Sequence, residues 1–288
     1  MRKLLLPLLL AAGCQVAIAQ KTDKKLEKLL GEALQGFNGE SGIYVHDLNH
    51  NRVAAIRADS LSPTASMVKM TILTGIMDKI HRGELDYHQQ LVYKDSLLYA
   101  GSDILGSFKS DEKIELSKVI MLMLTTSDNT ASLWLQSLAG GGTRINAILD
   151  SIGFTATRVN SRTPGREANR QQYGWAQTSP REMAGLMEKI VQHQLVSDSL
   201  SERMLRLLGR NYWDEEAISV IPSDVFVASK NGAVDASRSE VLFVNGRGRR
   251  YIFCICTHNN KDTSWVPGNE AWVLTRKISK LVWDYYGK

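Results

Sequence analysis

Ser66 and Lys69 stand three residues apart at the start of a long apolar-periodic run, in Pro63-Thr64-Ala65-Ser66-Met67-Val68-Lys69. On a helix that spacing puts both side chains on one face. A hydroxyl there lies near the exposed backbone N–H groups of the helix N-terminus, where developing negative charge is favoured. A lysine in dry, electropositive surroundings can lose its proton and act as a base. The pair could therefore supply a nucleophile and its activator. Alone, Ser-x-x-Lys also describes an N-capping serine beside a solvated lysine.

Two further short elements bear on that choice. Ser127-Asp128-Asn129 lies between two predicted helices, where it could project a hydroxyl and an amide into a cleft. Lys230-Asn231-Gly232 ends a predicted strand, just before Ala233. Taken singly, the first is an ordinary helix start and the second an ordinary turn.

The elements that must position these residues follow from periodicity. Residues 21–37 read as a helix, and 41–46 and 52–58 as two strands about a polar turn. From residue 61 to about 208 the pattern is almost wholly helical, with helices predicted at 66–80, 117–126, 130–138, 143–152, 180–194 and 199–208. The fifth is well marked, with Ser179 as cap, Pro180 in the first turn and Glu182 three residues on. Strand patterns return at 225–229, 240–245 and 249–257, and a helix over 269–286 closes the chain, turning Trp272, Val273, Ile278, Leu281, Val282 and Tyr285 inward. The two ends of the chain thus share one sheet, with a helical subdomain inserted between them. A cleft between the two is where a small-molecule site is expected.

Composition narrows the function classes. Arg2 and Lys3, the apolar run 4–12 and Ala17-Ile18-Ala19 read as an export signal over residues 1–19, too short to span a bilayer. Ala11-Ala12-Gly13-Cys14 is a weaker, lipoprotein-type alternative that would lipidate Cys14. The formal charge is +5, roughly +3 without Arg2 and Lys3, and no basic run is interleaved with aromatics, so nucleic acid is not an expected partner. Cys254 and Cys256 lie two apart on a predicted strand, too far for an unstrained bridge. The six histidines are scattered without metal-ligand spacing, so neither a metal nor another cofactor is expected.

In their order and spacing, the three elements resemble the class A β-lactamases, among the penicillin-recognising serine enzymes, whose signature is S-x-x-K, then S-D-N, then K-T-G. The resemblance covers essentially the whole mature chain. It implies an α/β (α+β) two-subdomain fold: an antiparallel sheet with flanking helices from 20–60 and 209–288, and an all-helical subdomain over 61–208. It implies an exported, periplasmic monomer acting on a small-molecule β-lactam and contributing to antibiotic resistance. Ser66 would open the lactam carbonyl to give an acyl-enzyme, with the N–H groups of Ser66 and Ala233 as the oxyanion hole. Lys69 would be base or proton relay, and Ser127 would pass a proton to the departing nitrogen. Lys230 would hold the Ser127 hydroxyl and attract the substrate carboxylate, beside Asn231 and Gly232. Asn129 would bind the substrate's side-chain amide. Tyr99 is expected to wall the cleft, and Arg238 to offer a second cation.

Two departures from the family pattern matter. Asn231 stands where threonine or serine is usual; its carboxamide can still donate to a carboxylate, with different reach. The family's deacylating glutamate, counted without gaps from Ser127, falls near Thr163, whereas the nearest carboxylate is Glu167, four residues late. If a rearranged loop brings Glu167 to the water site, the chain is an efficient β-lactamase. If not, it is a related hydrolase of peptidoglycan-type substrates, or a β-lactam-binding protein that deacylates slowly.

Overall fold

The computed structural model describes residues 20–287. The predicted export signal and Cys14 lie outside the described residues. Among the described residues, no helix is long and apolar enough to cross a membrane.

In chain order the elements are β1 (Lys21–Thr22), α1 (Lys24–Ala33), β2 (Glu40–Asp47), β3 (Arg52–Ile56), β4 (Ser62–Pro63), α2 (Val68–His81), β5 (Gln90–Val92), β6 (Lys113–Glu115), α3 (Leu116–Thr125), α4 (Asn129–Leu138), α5 (Gly141–Ser151), β7 (Arg158–Val159), α6 (Glu167–Tyr173), β8 (Ala176–Thr178), α7 (Pro180–Val191), α8 (Asp198–Leu208), β9 (Phe226–Val234), β10 (Ser237–Gly246), β11 (Arg249–His258) and α9 (Glu270–Tyr285). Six strands form the main sheet in the order β1-β3-β2-β11-β10-β9. Its ladders are antiparallel except at β1, which pairs parallel with β3. The sheet is therefore mixed, where the family resemblance implies an antiparallel one. The cause is local: Lys21 and Thr22 pair with Arg52 and Val53, and Asp23 then caps α1 by accepting from Leu26 N at 3.0 Å.

Both faces of the sheet are buried, so its strands read as near-continuous apolar runs. Leu242, Val244, Phe253 and Ile255 pack with α1 and α9; Val241, Phe243, Ile252, Cys254 and Cys256 pack with the helical half. Cys254 and Cys256 are free thiols on that second face, with sulfurs 4.0 Å apart. Within α2, Val68 to Met77 is buried on every side, as expected of a helix at the centre of its layer.

Some expectations need correction. The segment 61–208 is not all helical: β4, β8 and β7 make a small sheet, and β5 pairs with β6. Ser179 caps α7, accepting from Glu182 N at 3.2 Å, but Glu182 does not reach back to complete a capping box. Its carboxylate instead takes the N–H groups of Thr155, Ala156 and Thr157 at 2.8, 2.9 and 2.6 Å. On α9, Val273 is exposed while Leu274 is buried. Lys230, Asn231 and Gly232 lie inside β9 rather than at its end, because β10 continues the ladder to the pair Val234 and Ser237.

Candidate active site

Ser66 sits in a single 3-10 turn, Ala65–Met67, immediately before α2. Ala65 is held at φ 43°, a sparsely populated region for a residue with a β-carbon. The turn is pressed against β9: a β-carbon added at Gly232 would lie 2.4 Å from Thr64 O and 2.7 Å from Ser66 N. Only glycine allows this approach, which accounts physically for the last residue of Lys-Asn-Gly.

Lys69 projects from the first turn of α2 and is wholly buried. Its Nζ lies 3.0 Å from Ser66 Oγ, 2.9 Å from Ser127 Oγ, 2.5 Å from Ser127 O and 3.0 Å from Asn129 Oδ1. Burial, with the charge of Lys230 nearby, holds its pKa well below the ordinary lysine value, and Asp128 opposes this only in part. As a neutral amine it can give its two protons to the carbonyl oxygens of Ser127 and Asn129, which can only accept, and its single lone pair is then left to accept one hydroxyl proton, from Ser66 or Ser127.

Ser127 and Asn129 are aimed by their own segment. Ser127 adopts φ 61° between α3 and α4. Asp128, fully buried, caps α4 by accepting from Ala131 N at 2.7 Å. Its other oxygen takes the N–H groups of Ile104 and Leu105 at 2.6 and 2.8 Å, tying the 99–105 loop to the site. Asn129 N donates to Ser102 O at 2.7 Å, and Gly101 leaves room for its carboxamide: a β-carbon there would lie 2.5 Å from Asn129 Nδ2.

Lys230 is wholly buried on β9, and burial lowers its pKa to about 7, the Glu240 carboxylate resisting the shift. It does not hold the Ser127 hydroxyl as expected. Its ammonium donates to Asn231 O at 2.8 Å and Asn231 Oδ1 at 3.2 Å, since asparagine offers an acceptor within reach. That bond engages the oxygen of the carboxamide, and Asn231 lines the cavity that runs to Trp213 and Trp272.

Two cavities meet at Ser66 and Ala233. One, of about 930 Å³, runs past Asn129, Tyr173, Trp175, Val234 and Ser237 toward His258. The other, of about 640 Å³, runs past Ser127, Asn231 and Glu240 to Trp213 and Trp272. Tyr99 supports the first wall indirectly, its ring edge-on to Trp175 at 5.2 Å.

The structure does not bring Glu167 or Arg238 to the nucleophile. Glu167 is exposed at the start of α6 and accepts from Gly165 N at 3.1 Å; it lines neither cavity. Thr163, where the gap-free count falls, is buried against Gly142 and donates to Ser161 O at 3.0 Å. Between Asp150 and Glu182 the sequence holds no other carboxylate. Arg238 lines the second cavity but is 1% exposed, donating to Val234 O, to Ser237 O at 3.1 Å and to Ser264 O at 3.1 Å. Backbone carbonyls thus take both Nη1 protons and one from Nη2, while Nε is buried without a partner.

The family model described as the β-lactamase enzyme family matches residues 21–286. The chain belongs to the β-lactamase enzyme family. A β-lactamase of Streptomyces fradiae is 25% identical over 254 residues, covering 84% of this chain and 74% of that one. Among solved structures, an ancestral class A β-lactamase aligns with TM-score 0.79 at 20% identity, over 90% of this chain and 99% of the other. A mutant of PBP-A, described as an acyl-enzyme complex with penicillin G, aligns with TM-score 0.81 at 23% identity, over 93% and 98%. In this β-lactamase-family chain the class A order of elements is thus joined to a 160–178 loop with no carboxylate facing the nucleophile. Sequence reasoning also missed Glu240, buried beside the third element, whose only signal was a charge at the head of the apolar run 241–244.

Proposed function

We propose that the protein is an exported serine β-lactamase that opens β-lactam amides through an acyl-enzyme on Ser66, with deacylation as its slow step. The observation that carries this reading is the Lys69 amine, 3.0 Å from Ser66 Oγ and 2.9 Å from Ser127 Oγ. The Ser66 proton passes to the Lys69 lone pair as Oγ attacks the lactam carbonyl. The oxyanion meets the N–H groups of Ser66 and Ala233, positioned by the close approach of Gly232. Lys69 then returns the proton through Ser127 Oγ to the departing nitrogen. The substrate carboxylate is met by Lys230 and the Asn231 carboxamide, and Asn129 meets the acylamide side.

For hydrolysis of the acyl-enzyme, Lys69 is the base at hand. It has to serve both steps, whereas a separate carboxylate would leave it free. The placement of Thr163 and Glu167 therefore favours a second reading as well, in which the chain holds the acyl group and acts mainly on peptidoglycan-type substrates. Resistance to β-lactams, action as a monomer and export by the 1–19 segment belong to the first reading. The test is rapid mixing with a chromogenic cephalosporin beside Ser66→Ala. A burst of about one equivalent followed by slow turnover, absent in the variant, is expected; no colour change with the parent protein overturns the reading.

A further inference from the structure

Arg238 stands directly across the β9–β10 ladder from Ala233, whose N–H is the proposed second donor of the oxyanion hole. Its guanidinium carbon lies 4.4 Å from the Trp265 ring centre and 4.7 Å from that of Trp272. From this aromatic clamp one nitrogen donates to Val234 O and Ser237 O, the two residues that close the β9–β10 turn. A second donates to Ser264 O, which also accepts from Asn269 Nδ2 at 3.0 Å, within the cap of α9. Trp265 Nε1 donates to Asp235 Oδ1 at 2.9 Å, gripping the turn's tip. The turn therefore hangs from the C-terminal helix by this cation and its two indoles, with Ala233 next to the pair that closes it.

We infer that Arg238, clamped by Trp265 and Trp272, is a positioning residue that fixes the Ala233 N–H of the oxyanion hole rather than a cation that binds the substrate carboxylate. Resting on the acyl-enzyme reading above, it assigns to this cluster the alignment of the tetrahedral intermediate. A buried guanidinium has the reach and planarity to join carbonyls on two segments at once, which a lysine cannot match. Loss of the tie leaves the hairpin free to shift, and a shift near 1 Å costs up to about 100-fold in rate.

Phenylboronic acid separates the two roles. It adds to Ser66 Oγ, places a hydroxyl in the oxyanion hole and carries no carboxylate. Arg238→Gln and Arg238→Lys are expected to weaken its binding at least about tenfold. Acylation by penicillin G and by its methyl ester should fall by one common factor, and amide exchange over residues 231–237 should accelerate. Trp265→Ala, altering an exposed indole, should give a smaller loss in the same direction should the arginine variants fail to fold. Unchanged boronate affinity, with loss confined to the free-acid penicillin, would make Arg238 a carboxylate ligand and overturn the inference; so would unchanged exchange over 231–237. If the parent protein is not acylated by penicillins, the β-lactam reading fails on its own, while boronate affinity and exchange still decide the role of Arg238.

Discussion

Gly232 and Ser66 meet backbone to backbone, with no room for a methyl group between them. The sheet and the helical layer are thus locked together at Ser66 itself, and the strand that carries Lys230 also carries Ala233, the second donor of the proposed oxyanion hole. Gly232→Ala must push β9 away from the Ser66 turn, since the atoms it meets are backbone and cannot rotate aside. Acylation by penicillin G should fall by about 100-fold or more, read by intact-mass kinetics. A loss under about threefold contradicts this docking.

The pH dependence follows from two lysines of opposite need. In the proposed mechanism Lys69 is a base once neutral, so acylation should rise with pH as it loses its proton. There Lys230 would meet the carboxylate while charged, and burial has brought its pKa down to about 7, so the free enzyme's acylation constant should fall again above that value. Glu240, paired across the ladder from Asn231, supports the Lys230 charge. Glu240→Gln removes that support, lowers the Lys230 pKa and should move the alkaline limb to lower pH. A limb that stays in place or moves upward contradicts the coupling.

Much of the site is legible in the sequence because its chemistry is local. Ser66 in the 3-10 turn and Lys69 in the first turn of α2 follow one another directly, and Asp128 caps the helix that carries Asn129, so pattern and geometry coincide. The clamp on Arg238 is not legible. Trp265 lies on a loop and Trp272 on the closing helix, and only the packing of α9 against β10 brings them to the arginine. The short strands β7 and β8 escape for a related reason: their pairing is set by the loop's own polar ties, such as Arg166 Nη2 to Gln177 Oε1 at 2.8 Å. The sequence leaves Glu167 ambiguous, since a count of residues says nothing about which way a loop turns its side chains.

Glu167→Gln tests that loop. Its carboxylate is exposed and bonded to Gly165 N, away from both cavities, so deacylation should change by less than about twofold. Intact-mass decay of the penicillin adduct measures it. A roughly tenfold slower decay would restore Glu167 as the deacylating base.

Asp128 binds three backbone N–H groups from a fully buried position, linking α4 to the loop that flanks Asn129. Asp128→Ala leaves those donors unpaired and should cost on the order of 3 kcal/mol of stability. Chemical denaturation reads the cost. Asp128→Asn can satisfy only the accepting half and should fall between the parent and Asp128→Ala; a destabilisation by Asp128→Ala below about 1 kcal/mol contradicts the tie.

The central claim is that Ser66 is acylated quickly through Lys69 and released slowly for want of a second base. Time-resolved intact mass with penicillin G reads both steps in one experiment. The account predicts a single adduct, retaining the whole mass of the drug, that forms within seconds, persists for minutes or longer, and is absent in Ser66→Ala and Lys69→Arg. An adduct on Ser66→Ala, or drug hydrolysis at hundreds of turnovers per second by the parent protein, would contradict it.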